Sequence, residues 1–188
     1  RYVVRCGQQR DPLIRHQAWQ LGPKGMRRDI ESWKRGVPVE DYLDVDAMRR
    51  AAAHFVGEHD FRAFRQASDE REVVVRNMFE VSVNPGWNGR PDVVAFEVVG
   101  NSFMKNMVRI MAGTLVDIGR GRIAPDAVPA MLREDSDRTQ AGQTAPPEGL
   151  TLIDIELARF DGPGDHFDRP TKADPPRRQN VRPTPPKK

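Results

Sequence analysis

The stretch Gly100–Gly119, GNSFMKNMVRIMAGTLVDIG, is apolar enough for a buried helix, yet it carries one arginine, Arg109, inside its hydrophobic run. A guanidinium buried without a partner costs several kcal/mol. Arg109 therefore either snorkels to the surface along its own stem or meets an anion, a carboxylate or a phosphate. Lys105, one turn earlier, and Asn106 stand on the same side and extend it into a short polar stripe suited to such an anion. Tyr2 opens the first apolar stretch. A tyrosine there is either core or, in an enzyme acting on a nucleic acid, a support for an extruded base. Leu150, which follows Gly149, reads from its own surroundings as a core leucine.

Other chemistries find little support. His54 and His59 are five residues apart, the wrong spacing for two ligands on one helical face, and His16 and His166 stand alone. The GRGR run at Gly119–Arg122 follows a helix where a phosphate cradle would precede one. The sequence contains no Gly-x-Ser-x-Gly elbow. Its single cysteine, Cys6, excludes an internal disulfide framework and a cysteine-based zinc site, and its alternating surroundings make it a buried thiol.

The elements that must position these residues are legible in outline. Tyr2–Cys6 reads as a strand. Leu21–Tyr42 has no clear periodicity and reads as a long loop or insertion. Asp44 or Asp46 opens a helix bearing Met48, Ala51, Ala52, Phe55 and Val56, which Gly57 closes. His59–Phe64 reads as a turn with two aromatics, and Glu72–Val83 and Asp92–Val99 as strands joined by the hairpin loop NPGWNGRP. The Arg109 helix follows, capped by Asn101 or Ser102, with Phe103, Met107, Ile110, Met111 and Ile118 on one face and Gly119 at its end. A short helix from Pro125 to about Arg133 and a last strand over Leu150–Leu157 complete the order. Strand, helix, strand, strand, helix, strand is an α+β, ferredoxin-like β-α-β-β-α-β sandwich, with helices on one face of an antiparallel or mixed sheet and the other face free to bind.

The chain has 188 residues, room for one domain with a real core, which the pattern places at residues 1–160 with an insertion at about 21–42. From Asp161 proline, arginine and lysine dominate, so residues 161–188 read as a solvated, disordered tail. A net charge of +3 with 30 Lys and Arg keeps an anionic partner in play. The N-terminus lacks a signal pattern and no apolar run approaches about 18 residues, which points to a soluble, cytoplasmic protein without a membrane partner.

Taken in order, several segments resemble the C-terminal half of the tRNA pseudouridine synthase A family. They are RY at Arg1–Tyr2, DPLIRHQAW at Asp11–Trp19, LDVDAMRRAAAHFVGEHDFRAF at Leu43–Phe64 and VVRNMFEVSV at Val74–Val83. GNSFMKNMVRIMAGTLVDIGRG at Gly100–Gly121 and DRTQAGQTAPPEGLTL at Asp137–Leu152 follow. The resemblance covers most of Arg1–Phe160 outside Leu21–Tyr42. It implies an isomerase that converts uridine to pseudouridine in the anticodon stem-loop of tRNA, working as a homodimer and needing no metal or organic cofactor. By the same resemblance Tyr2 is the active-site tyrosine that stacks on the target base, Arg109 pairs with the catalytic aspartate, and Leu150 packs near the base. The family's aspartate lies in a Gly-Arg-Thr-Asp-Ala-Gly loop upstream of the RY segment, and that loop does not occur in this sequence. The resemblance therefore implies a fragment, or a remnant that kept the binding half, without catalytic activity of its own.

Two other readings fit the same element order. A non-catalytic RNA-binding module would use exposed aromatics on its central strands, where Phe79 and Phe96 stand without the usual Gly-aromatic motif. A small-molecule regulatory or purely structural domain would leave Arg109 and the AGQTAPPEGL segment without a purpose.

Overall fold

The computed structural model describes residues 1–7, 10–22, 38–69 and 73–156. Its strands are β1 (Tyr2–Cys6), β2 (Trp19–Leu21), β3 (Gly57–Asp60), β4 (Val75–Pro85) and β5 (Val93–Gly100), and its helices α1 (Val45–His54), α2 (Met107–Gly119) and α3 (Val128–Met131). The sheet runs β2-β1-β5-β4-β3, with β1 and β2 parallel and the other neighbours antiparallel. Arg1–Ile153 form one compact unit. The β1-α1-β4-β5-α2 order within it is the α+β, ferredoxin-like frame, with β5 between β1 and β4.

Each helix forms where its sequence supplies a start and an apolar face. The Asp44 carboxylate accepts from the Ala47 N–H at 2.8 Å and caps α1. Val45, Met48, Ala51 and Ala52 are its buried residues at helical spacing. Helix α2 is buried almost all round, from Met107 to Gly119, because it is covered on two sides. One side meets the sheet, where Tyr2, Val4, Met78 and Phe96 join Met107, Ile110 and Leu115 in the main core. The other side meets residues 141–145, which run as an extended strap along the helix.

That strap sits close enough to explain two glycines. A Cβ on Gly113 would collide with the Gln143 carbonyl oxygen, and a Cβ on Gly142 would stand 2.7 Å from the Thr114 Cα. The contact also gives the polar residues of α2 their partners. Thr114 Oγ1 donates to the Ile110 carbonyl and accepts from the Gly142 N–H at 2.9 Å. Asp117 faces the Gln143 backbone and side-chain amides at 3.4 Å and pairs with Arg122 at 2.9 Å.

The structure corrects several expectations. Leu21–Tyr42 is not loop at its ends: Leu21 closes β2, paired with Cys6, and Val39–Asp41 form a 3₁₀ turn, while residues 23–37 lie outside the described residues. Part of the expected turn over His59–Phe64 is strand, since His59 and Asp60 belong to β3 and pair with Arg76 and Val75. Glu72 is likewise outside the described residues, and β4 begins at Val75. Helix α2 starts at Met107 rather than after Asn101 or Ser102, which leaves Phe103 outside it and partly exposed. The sheet face opposite the helices is covered at β1 and β5, where Ile14, Ala18 and Trp87 pack on Val3, Val93 and Ala95.

The last expected strand is reduced to one bridge, Leu150 with Tyr2, backed by a Thr151 N–H donating to the Arg1 carbonyl at 2.9 Å. Leu152 and Ile153 beyond the bridge stand 71 % and 55 % exposed. Leu157 and the tail 161–188 fall outside the described residues, so the expected domain end at 160 does too. No helix among the described residues is long and apolar enough to cross a membrane.

The strap contact yields a test. Replacing Gly113 with alanine adds about 1 kcal/mol of helix propensity, but overpacking against a backbone carbonyl costs about 3 kcal/mol, so Gly113→Ala is expected to lose about 2 kcal/mol. Urea unfolding should show a lower midpoint at unchanged slope. A midpoint at or above that of the parent would mean that the strap does not lie on α2.

Candidate active site

Arg109 is the third residue of α2 and is half-buried. Its Nε donates to the Ala145 carbonyl at 2.7 Å and its Nη1 to Asn106 Oδ1 at 2.8 Å. The Ala145 N–H returns a bond to the Arg109 carbonyl at 3.1 Å, so strap and helix are joined residue to residue. Both acceptors of the guanidinium are neutral. Among the described residues no carboxylate lies within ion-pair distance of it, and Nη2 makes no hydrogen bond.

Asn106 precedes the helix in the left-handed region, with φ of 62°, a conformation that asparagine tolerates better than most residues. Its amide nitrogen donates to Gln66 Oε1 at 2.6 Å while its carbonyl oxygen faces Arg109. The turn is braced from the 66–69 loop, where Asp69 accepts from the Lys105 N–H at 3.0 Å and the Gln66 N–H donates to the Lys105 carbonyl. Lys105 itself is exposed. The expected helical stripe of Lys105, Asn106 and Arg109 is thus a loop-to-helix corner, and it does bring Asn106 and Arg109 into contact.

Tyr2 reaches the same corner from β1. Its hydroxyl donates to the Pro146 carbonyl at 2.6 Å, one residue along the strap from the carbonyl that Arg109 uses. The side chain is fully buried, packed so tightly against Gly149 that a Cβ there would stand 2.7 Å from the Tyr2 Cζ. Neither ring face is open in this arrangement. Burial pushes the Tyr2 hydroxyl well above the usual tyrosine range, the Arg109 charge pulls the other way, and Glu148 adds to the rise. Leu150, bridged to Tyr2, is 42 % exposed rather than core.

The strap therefore gathers the singled-out residues into one place, with Arg109, Asn106, Tyr2 and Leu150 around residues 145–150. Four participants were missed in the sequence. Gln66 and Asp69 carry no local signal, since only the fold brings them to Lys105 and Asn106. The carbonyls of Ala145 and Pro146 belong to backbone, which composition does not reveal, although two prolines in TAPPEGL hint at a stretch held extended. No group of three or more His, Cys, Asp or Glu among the described residues is placed to hold a metal ion. Of the two aromatics that an RNA-recognition face would need, Phe96 is fully buried and Phe79 is exposed beside the register shift in β4.

A family model described as tRNA pseudouridine synthase matches residues 51–157, more than half of the chain. The tRNA pseudouridine synthase A of Geotalea uraniireducens is 41% identical over 155 residues, covering 82% of this chain and 54% of that protein. That of Myxococcus xanthus is 47% identical over 113 residues, 60% of this chain and 41% of that protein. That of Acetivibrio thermocellus is 36% identical over 156 residues, 82% and 54% respectively. The chain thus spans about half the length of the curated relatives it matches.

The buried Tyr2 hydroxyl makes stability depend on alkaline pH. Its folded-state pKa lies above the unfolded value near 10, so its contribution is complete below about pH 10 and is lost as pH rises beyond that value. Tyr2→Phe should cost about 1 kcal/mol at pH 8, for the lost bond to Pro146, yet lose stability less steeply than the parent above about pH 10. Urea midpoints measured across that range check this, and parallel alkaline slopes would refute it.

Proposed function

The chain belongs to the tRNA pseudouridine synthase family, and on that premise we propose that it supplies the arginine-bearing half of a uridine-to-pseudouridine isomerase acting on tRNA. The observation that carries this is the state of Arg109: a half-buried guanidinium held by two neutral acceptors, with one edge left for an anion. In this reading the anion is the aspartate nucleophile of a Gly-Arg-Thr-Asp-Ala-Gly loop on sequence outside this chain. An arginine in that position keeps the carboxylate ionised and aims it.

The reaction is a rearrangement with no change in oxidation state. The C1′–N1 glycosidic bond breaks, the base turns, a C1′–C5 bond forms, C5 gives up its proton and N1 takes one. The target nucleotide must leave its stack first, which costs a few kcal/mol. Half-exposed Leu150 supplies apolar contact beside the base, and exposed Lys105 meets the RNA backbone, with Asn106 holding the corner. Tyr2 is committed to Pro146 and is a poor base while buried, so it can stack on the uracil only after residues 146–149 shift. We extend the reading to the anticodon stem-loop as substrate, to a homodimer as the working assembly and to the cytoplasm as its location, all by family resemblance.

Tritium release from tRNA labelled at uridine C5 tests the proposal. The Arg1–Lys188 chain alone should bind an anticodon stem-loop with steep salt dependence and release nothing. In a protein that joins this chain to the aspartate loop, Arg109→Ala should slow release at least about a hundredfold while changing stem-loop affinity by less than about tenfold. Release by the isolated chain, or an active Arg109→Ala enzyme, would overturn the assignment. Stem-loop binding without turnover in the joined protein would instead make the domain an RNA-binding module.

A further inference from the structure

A second cationic site lies at the far end of α2. The helix closes with the Arg120 N–H on the Val116 carbonyl at 3.0 Å, Gly121 turns the chain at φ of 69°, and the Arg122 N–H bonds the Asp117 carbonyl at 2.9 Å. This is the GRGR run that the strand-to-helix phosphate-cradle pattern leaves unexplained. The turn sits over the C-terminal ends of β1 and β2 and beside the residues that lead into α1, with the Asp44 N–H on the Gly119 carbonyl at 2.8 Å. A cavity of about 230 Å³ lies between these elements.

Its described lining includes Arg120, Arg122, Tyr42 and Cys6, and no acidic residue. The half-buried Arg120 side chain makes no hydrogen bond or ion pair among the described residues, and neither does the Tyr42 hydroxyl. Arg122 spends one of its nitrogens, Nη1, on Asp117. Burial pushes the Cys6 thiol up to about 12, so it brings no negative charge to the cavity at neutral pH. Burial, and then the neighbouring Arg122, lower the Arg120 pKa, while Asp117 and Cys6 oppose the shift.

Unspent donors on Arg120 and Tyr42, with Arg122 beside them, face a cavity whose described lining holds no acidic residue, so positive charge is in place there for an anion. We propose that this cavity binds a phosphate group, with Arg120 as its principal ligand and Arg122 and the Tyr42 hydroxyl as supporting donors. The site is separate from the Arg109 corner, about 16 Å away along the helix axis, and does not depend on the isomerase reading. A phosphate here comes either from solution or from an RNA backbone, and the two sources are distinguishable.

The test titrates inorganic phosphate into the Arg1–Lys188 chain, followed by phosphorus NMR or calorimetry. Saturable one-to-one binding is expected, weakened about tenfold or more in Arg120→Ala and measurably in Arg122→Ala. Arg49→Ala, on the exposed side of α1 and outside the cavity, should change nothing. Circular dichroism and melting curves establish that the variants remain folded. If an RNA phosphate is the occupant, Arg120→Ala also weakens binding of an RNA stem-loop and free phosphate competes with that RNA. If solution phosphate is the occupant, RNA affinity stays at the parent value and phosphate binding alone is lost. Phosphate binding that never saturates, or that neither Arg120→Ala nor Arg122→Ala alters, overturns the proposal.

Discussion

Two consecutive carbonyls hold this domain's chemistry together. Ala145 takes the Arg109 guanidinium from α2, and Pro146 takes the Tyr2 hydroxyl from β1, so one extended strap ties a helix to a strand that is far from it in sequence. Backbone groups in a buried extended segment must find partners, and helix and sheet have already used most of theirs. The strap resolves this with side chains. Thr114 and Asp117 serve its N–H groups, and Arg109 and Tyr2 serve its carbonyls. The glycines at 113 and 142 follow from the same requirement, since the strap must lie on the helix backbone itself to reach all four.

Electrostatics separates the arginines into two kinds. Arg5 and Arg90 meet Asp92 at 2.7 and 3.0 Å, and Arg90 also meets Asp11 at 2.9 Å. Both Asp11 and Asp92 are held below the usual carboxylate range: Asp11 by a backbone hydrogen bond and Arg90, and Asp92 by Arg90 and Arg5 against the opposing effect of burial. Such pairs fix geometry, and their net worth is small once desolvation is counted. Arg109 and Arg120 differ in kind. Each is half-buried and makes no ion pair with a carboxylate among the described residues, so each retains capacity to bind something that arrives.

The features that could be read in the sequence were those with local causes. Asp44 ahead of an apolar 3.6-residue pattern marks α1, and the glycine-rich NPGWNGRP marks the β4–β5 hairpin. Features with non-local causes were missed. GEHD lacks the branched residues of a typical strand, and β3 exists because β4 offers it an edge. LTLIDIEL alternates as a strand should, yet among the described residues only Leu150 makes a bridge, to Tyr2. The start of α2 moved to Met107 because Asp69 and Gln66 hold residue 105 outside the helix. At the site, Arg109 announced itself by being charged among apolar neighbours, while Gln66 gave no such contrast.

The reciprocal bonds between Arg109 and Ala145 also restrict how the strap can move. If the strap slipped by one residue, Pro146 would stand opposite Arg109, and proline has no N–H to offer its carbonyl. A slip of two brings Pro147 and the same deficit. The neighbouring registers are therefore blocked in that direction by the chemistry of the chain, and the same slip would put the Gln143 Cβ where a Cβ at position 142 stands 2.7 Å from the Thr114 Cα. Residues 141–145 are thereby held in one register on α2, with Gly142 against Thr114 and Ala145 against Arg109. Because Ala145 and Pro146 are consecutive, a shift that frees the Tyr2 hydroxyl from Pro146 bears directly on the residue that holds Arg109.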